Sequence, residues 1–225
     1  MTAPRSRRER PAKPALTRQG IIDAALAILR REGLHRVTMR RIASALDTGP
    51  ASLYVYVRNT EDLHAQILDA LLAPVPAAAA GEGSWRDRLK AVLIEYAALL
   101  FRHPEMARMA LSTQPSGPNY LTLVDTILGL LRAGGAGDRE AAWGVDVLLL
   151  VMTAEAAEHT SRRSEREIAD QSALALEIAS ADPGRYPNIA RHGAGLLSGT
   201  GEGRLDWALD VLLAGVLNTP VPTEQ

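Results

Sequence analysis

Pro50, Ala51, Ser52, Tyr54 and Tyr56 crowd a short segment in which only Leu53 and Val57, four apart, supply an inward face. Small side chains beside tyrosine hydroxyls suit a groove of duplex DNA, where the small groups meet base edges and the phenols reach phosphates. Just upstream, Met39, Ile42, Ala43 and Leu46 make the inward stripe of a helix, with Arg40 and Arg41 turned outward. Thr38 stands where an N-cap accepts from an otherwise unpaired amide. Asp47, Thr48 and Gly49 read as a sharp corner, since Asp and Gly both tolerate left-handed backbone. Pro50, with no amide to lose, fits the first turn of the second helix. Helix, tight turn and short helix make the helix-turn-helix of DNA readers. The competing reading is a solvated corner of an all-helical protein, and two tyrosines and two arginines on its exposed side count against that.

No other cluster of residues points to chemistry as clearly. An enzyme would have to draw its acid, base or ligands from Glu155, Glu158 and His159, which ordinary solvated helix charge explains as well. The sequence has no glycine-rich phosphate loop, nucleophile elbow or paired metal motif. It also has no cysteine, hence no disulfide and no thiolate site. No enzyme activity, metal or cofactor is expected.

The elements that must position the reader follow from periodicity and punctuation. The chain has 225 residues, 47% of them hydrophobic, and a mean hydropathy of −0.04, which suits a globular protein of one or two domains. Absent cysteines, and with no run of the roughly 18 uninterrupted apolar residues that a membrane span needs, a cytoplasmic protein is expected. The net charge of −1 hides an asymmetry: residues 1–60 carry 12 Lys+Arg against 4 Asp+Glu, net +8, and residues 61–225 carry 13 against 22, net −9. A basic head on an acidic body means that only the head meets a polyanion. Only two of the basic residues, Lys13 and Lys90, are lysines.

Residues 1–15 read as a flexible basic arm, whose Arg5, Arg7, Arg8 and Arg10 could follow a minor groove or simply stay solvated. A DNA-binding domain is expected over 16–73. Its first helix runs from about Thr17 to Glu32 and stops at Gly33, and its last starts after Asn59. Pro74 to Gly83 reads as an Ala, Pro and Gly linker, and a second domain is expected over 84–219. There Ser84 and Asp87 cap a helix, Pro104 starts a short one, and Leu121, Val124, Ile127, Leu128 and Leu131 form the stripe of the next. Asp138 caps a long helix carrying Trp143, and 160–184 is the least legible stretch, with a short helix near Leu174. The last helix has one stripe of Leu205, Leu209, Leu212 and Val216 and another of Trp207, Val211 and Leu213. A helix apolar on two faces must be covered twice, so the eighth and last helices are expected to pair with a second copy as a four-helix bundle.

Leu16 to Leu72, with REG closing its lead-in, then VTMRRIASAL, SLYVYV and RNTEDLHAQIL, resembles the N-terminal domain of the TetR family of bacterial repressors. SWRDRLK, MALSTQP and RLDWALDVLLAGV are similar to that family's tetracycline-repressor-like C-terminal subgroup. The resemblance implies an all-α fold: a three-helix helix-turn-helix DNA-binding domain and a C-terminal helical ligand-binding and dimerisation domain. It implies that Arg40, Pro50, Ala51 and Ser52 meet base edges and that Thr38, Tyr54, Tyr56 and Thr60 meet phosphates. Thr60 stands where the family usually has Lys, so one charged contact is missing. Tyr96, Thr113 and Gln114 match pocket positions of the subgroup, and helix faces add Met109, Trp143 and Glu155 as candidates. Ala110 and Gln114 replace the His and Arg that serve the tetracycline–magnesium complex, so another effector is expected.

The expectation is a homodimeric regulator that binds an operator in double-stranded DNA, without a membrane partner. It is a repressor released by a small-molecule effector, the alternative being a constitutive DNA-binding dimer or activator without one.

Overall fold

The computed structural model describes residues 15–112, 115–161 and 165–222. Among them are eleven α-helices and no strand: α1 (Arg18–Glu32), α2 (Met39–Ala45), α3 (Pro50–Leu53), α4 (Thr60–Leu72), α5 (Trp85–Arg102), α6 (Pro104–Ser112), α7 (Pro118–Ala133), α8 (Asp138–Ser161), α9 (Glu165–Ala179), α10 (Pro187–Leu196) and α11 (Gly201–Asn218). They fall into two compact units, one ending at Ala70 and one starting at Leu71. The fold class is the all-α one expected.

In the first unit α1 is capped by Thr17, whose hydroxyl accepts from the Gly20 amide, and it ends at Gly33, where φ is 83°. Its buried residues Ile21, Ile22, Ala25, Leu26, Ile28 and Leu29 pack on α2 through Met39, Ile42 and Ala43. The α2–α3 corner is a Schellman closure: the Thr48 amide bonds to the Ala43 carbonyl and the Asp47 amide to that of Ser44. Of the two residues expected to take left-handed backbone there, Asp47 takes it, at φ 48°, while Gly49 is extended at φ −81°. The reason is position: Asp47 is the first residue past the cap, where the chain must reverse, and Gly49 already leads into Pro50. At the start of α4 the Asn59 side chain accepts from the Asp62 amide and the Asp62 carboxylate accepts from the Arg58 amide.

The second unit opens with a correction. Val75–Ala80, inside the run expected as a bare linker, is a 3-10 helix packed on α5. Val75 and Ala79 are buried, and the Arg88 side chain donates to the Ala79 carbonyl. Thr60–Ala80 is the one stretch among the described residues long and apolar enough to cross a membrane by length and composition. Leu63, Ile67, Leu68 and Val75 within it are fully buried inside the protein.

Helix α5 begins in a reciprocal Ser84–Asp87 capping box. With α6, α7 and α8 it makes the core of this unit. The inward face of α7 is Leu123, Ile127, Leu130 and Leu131, whereas Leu121, expected on that face, is 65% exposed. Both stripes share Ile127 and Leu131, and packing selected the one rotated by a residue. Asp138 is the first residue of α8 rather than its cap, and its carboxylate pairs with Arg132. On α11, Leu209 and Leu213 are fully buried, so Leu213 belongs with Leu209 and not with Trp207 and Val211. Helix α11 is tied to α5 by Lys90, which reaches Asp206 at 2.7 Å and Asp210 at 2.9 Å. Helices α9 and α10 pack on each other, with Gly193 set close against Ile178.

Candidate nucleic-acid interface

Helix α3 is one turn long and is held by Leu53 and Val57, both essentially inaccessible. Those two anchors turn their neighbours outward: Pro50, Ala51, Ser52 and Tyr54 are exposed, Tyr54 by 55%. The Tyr54 hydroxyl makes no hydrogen bond with the described residues, so its proton is free for an incoming acceptor. A Cβ built on Gly49 meets nothing within 4 Å, so the corner leading into α3 is sterically open.

The two arginines of α2 divide. Arg41 reaches back to α1, where its guanidinium grips both carboxylate oxygens of Glu32 at 2.7 and 3.3 Å. That fork holds the Glu32 carboxyl below the usual carboxylate range. Arg40 is exposed and makes no such bond with the described residues. Both are exposed, as expected of outward positions, and only Arg40 keeps its full set of donors. Thr38 caps α2 by accepting from the Arg41 amide at 3.2 Å, which occupies a lone pair and leaves its hydroxyl proton to give. Thr60 is exposed at the first position of α4.

Tyr56 differs from its neighbours. It is half-buried, and its hydroxyl donates to the Leu16 carbonyl at 2.7 Å. Alternation around Leu53 gave no hint of this bond, which spans forty residues. Arg5, Arg7, Arg8 and Arg10 lie outside the described residues.

The candidate ligand residues are not gathered in one place. Tyr96 is 2% exposed and shares a 2.7 Å hydrogen bond with the buried Thr153 of α8. Thr153 also bonds to the Leu149 carbonyl. Because a carbonyl can only accept, the Thr153 proton goes there, and the Tyr96 hydroxyl must be the donor to Thr153. Burial pushes the Tyr96 phenol up to about 12. Thr153 was missed from sequence, though a threonine between Met152 and Ala156 on an apolar face was the available signal. Met109 is half-buried on α6, and Thr113 and Gln114 lie outside the described residues. Trp143 is 56% exposed on α8 and lines an open cleft of about 420 Å³ with Val147, Val211 and Gly215. Glu155 lines another, of about 950 Å³, with Val151, Ser198, Thr200 and Arg204. Among the described residues no cluster of His, Asp and Glu is arranged to hold a metal.

Comparison with known proteins fits both units. Residues 21–67 match the family of bacterial regulatory proteins of the tetR type, and 76–219 match the tetracyclin repressor-like C-terminal domain. An HTH-type transcriptional regulator of Saccharopolyspora erythraea is 32% identical over 188 residues, 83% of this chain and 78% of that protein. A transcription regulator of Streptomyces coelicolor, known from its crystal structure, is 48% identical with a TM-score of 0.76, covering 95% of this chain and 100% of the other. The ActR protein of Streptomyces coelicolor in complex with actinorhodin is 32% identical with a TM-score of 0.76, covering 91% and 96%. The chain therefore belongs to the TetR family and is a DNA-binding transcriptional regulator.

Proposed function

We propose that the protein is a homodimeric repressor that binds an operator through α3 and leaves it when a small molecule occupies the second unit. The observation that carries the DNA reading is the set of free donors on one corner: Arg40, the Thr38 hydroxyl and the Tyr54 hydroxyl, beside the small residues Pro50, Ala51 and Ser52. Arg40, Pro50, Ala51 and Ser52 meet base edges. Thr38, Tyr54 and Thr60 meet phosphates. The buried Tyr96–Thr153 pair gives an otherwise apolar interior one polar anchor, and the phenol oxygen keeps a lone pair for a ligand donor. The family resemblance adds Thr113 and Gln114, which lie outside the described residues, and Met109 on α6 is a further candidate. The complex of ActR with actinorhodin favours a small-molecule effector for this chain too.

Dimerisation uses α8 and α11, whose outer faces expose Trp143, Val147, Leu150, Trp207 and Val211. Apolar surface of this extent marks an interaction site. Trp143 thus belongs to the subunit interface rather than to the ligand site. Glu155 lines the cleft beside the start of α11, which Tyr96 does not line.

The test is a mobility shift on the DNA flanking the protein's own gene, with and without candidate small molecules. The parent chain shifts that DNA, effector abolishes the shift, and Tyr54→Ala weakens it at least tenfold. Equal binding by Tyr54→Ala would remove α3 from the interface. Trp207→Glu sediments as a monomer at micromolar concentration, and a dimer of unchanged strength would refute the α8–α11 assignment.

A further inference from the structure

The two tyrosines that follow α3 have opposite hydrogen-bond inventories. Tyr54 is exposed and its hydroxyl makes no bond with the described residues, whereas Tyr56 has spent its proton on the Leu16 carbonyl. A phenol has one proton, and a phosphate oxygen only accepts. Tyr56 therefore cannot donate to a phosphate without releasing Leu16. The bond joins two functional points: Tyr56 closes the turn after α3, where its amide bonds to the Leu53 carbonyl, and Leu16 directly precedes Thr17, the cap of α1. Residues 1–14 enter the fold at that point, and they carry Arg5, Arg7, Arg8, Arg10 and Lys13 against a single Glu9.

We propose that Tyr56 is a positioning residue for DNA binding: its hydroxyl pins the root of the N-terminal basic segment to the end of the reading helix and does not itself touch the duplex. This inference rests on the regulator reading above. The pin holds Leu16, the residue next after a stretch with a net charge of +4, against the turn that follows α3. Without it the same charges remain on the chain, but from an unfixed root. A fixed cation loses less freedom on binding than a tethered one, so the pin raises affinity without adding a contact.

The test compares four proteins: the parent, Tyr56→Phe, a chain lacking residues 2–14, and that deletion combined with Tyr56→Phe. Each is titrated against a fluorescein-labelled duplex from the DNA flanking its own gene, over a range of salt. Phenylalanine keeps the half-buried ring and removes only the donor. In the full chain Tyr56→Phe weakens binding about three- to tenfold, the weight of one neutral hydrogen bond, and flattens the dependence of affinity on salt. In the deletion background Tyr56→Phe changes affinity by less than about twofold, within the error of additivity. Tyr54→Phe, run alongside, weakens both backgrounds alike. Amide exchange at Arg18 to Gly20 quickens in Tyr56→Phe without DNA. Equal weakening by Tyr56→Phe in both backgrounds would mean that its hydroxyl acts on the DNA or on the whole fold, and the inference would fail. No weakening in the full chain would overturn it too. A parent chain that binds no duplex would sink the regulator reading itself, and this inference with it.

Discussion

Replacing Tyr96 by Phe and Thr153 by Val, singly and together, measures the buried hydroxyl pair and the direction of its proton. In Tyr96→Phe the ring remains, the Thr153 proton stays on the Leu149 carbonyl, and only an acceptor lone pair goes unused. The loss is that of one net neutral hydrogen bond, about 1 kcal/mol. Thr153→Val leaves the Tyr96 O–H, on a residue 2% exposed, with no acceptor. A stranded buried donor costs about 2–3 kcal/mol. In the double variant donor and acceptor vanish together and two apolar groups of similar shape meet, so the total stays near about 1 kcal/mol. The two substitutions are therefore coupled by about 2–3 kcal/mol, well outside the additivity expected of independent sites.

Thermal unfolding followed by circular dichroism reads this directly, since about 1 kcal/mol shifts Tm by about 2–4 °C in a chain of this size. Protein concentration must be fixed, because association makes Tm concentration-dependent. The phenol adds a pH signature. Its folded value lies above the ordinary 10.0, at about 12, so the unfolded chain releases this proton first. Stability from this group is complete below pH 10 and falls as pH rises towards 12, and Tyr96→Phe removes that part of the alkaline loss. A larger loss for Tyr96→Phe than for Thr153→Val would reverse the proton assignment. Additive losses would mean that no hydrogen bond links the two residues.

Further outcomes follow from packing and burial. Gly144→Ala sets a methyl 2.8 Å from a Val216 methyl at the α8–α11 contact and destabilises by about 1–3 kcal/mol. Gly129→Ala, on α7 with open space around the new methyl, stabilises by about 0.5–1 kcal/mol; chemical denaturation ranks the two, and equal effects would refute the packing argument. His64 has a buried Nε2 with no hydrogen-bond partner, and burial holds its imidazole below the ordinary value. The folded chain therefore resists its protonation, and stability from this group, present above about pH 6.5, is lost as pH falls towards the lowered value. His64→Gln flattens that part of the profile, and an unchanged slope of denaturation midpoint against pH would refute the assignment.

Several features were legible because one residue decides each. Thr38 and the Ser84–Asp87 pair cap where their types say they should, and Gly33 ends α1 with the backbone only glycine takes easily. Proline placed the starts of α3 and α6 in the same way. Where apolar residues are dense, sequence offered too many faces. On α7 and α11 two stripes overlap, and the neighbour rather than the pattern chose between them. The fate of individual polar groups was less legible still. Arg41 and Tyr56 belong to the same surface pattern as Arg40 and Tyr54, yet partners nine and forty residues away engage them. No local spacing announces such partners. The Tyr96–Thr153 bond is another meeting of helices that only the folded chain brings together.

The lysine between α5 and α11 has a practical corollary for handling the protein. Lys90 is clamped by two aspartates, with only 14% of its side chain exposed, and although burial opposes its charge, the two carboxylates hold the ammonium protonated above its ordinary range. A protonated amine is no nucleophile, so among the two lysines acylating dyes, biotin esters and activated sensor chips are left with Lys13. Lysine coupling would therefore attach the chain next in sequence to its DNA-binding unit, whereas a tag on the second unit would leave the first free to bind.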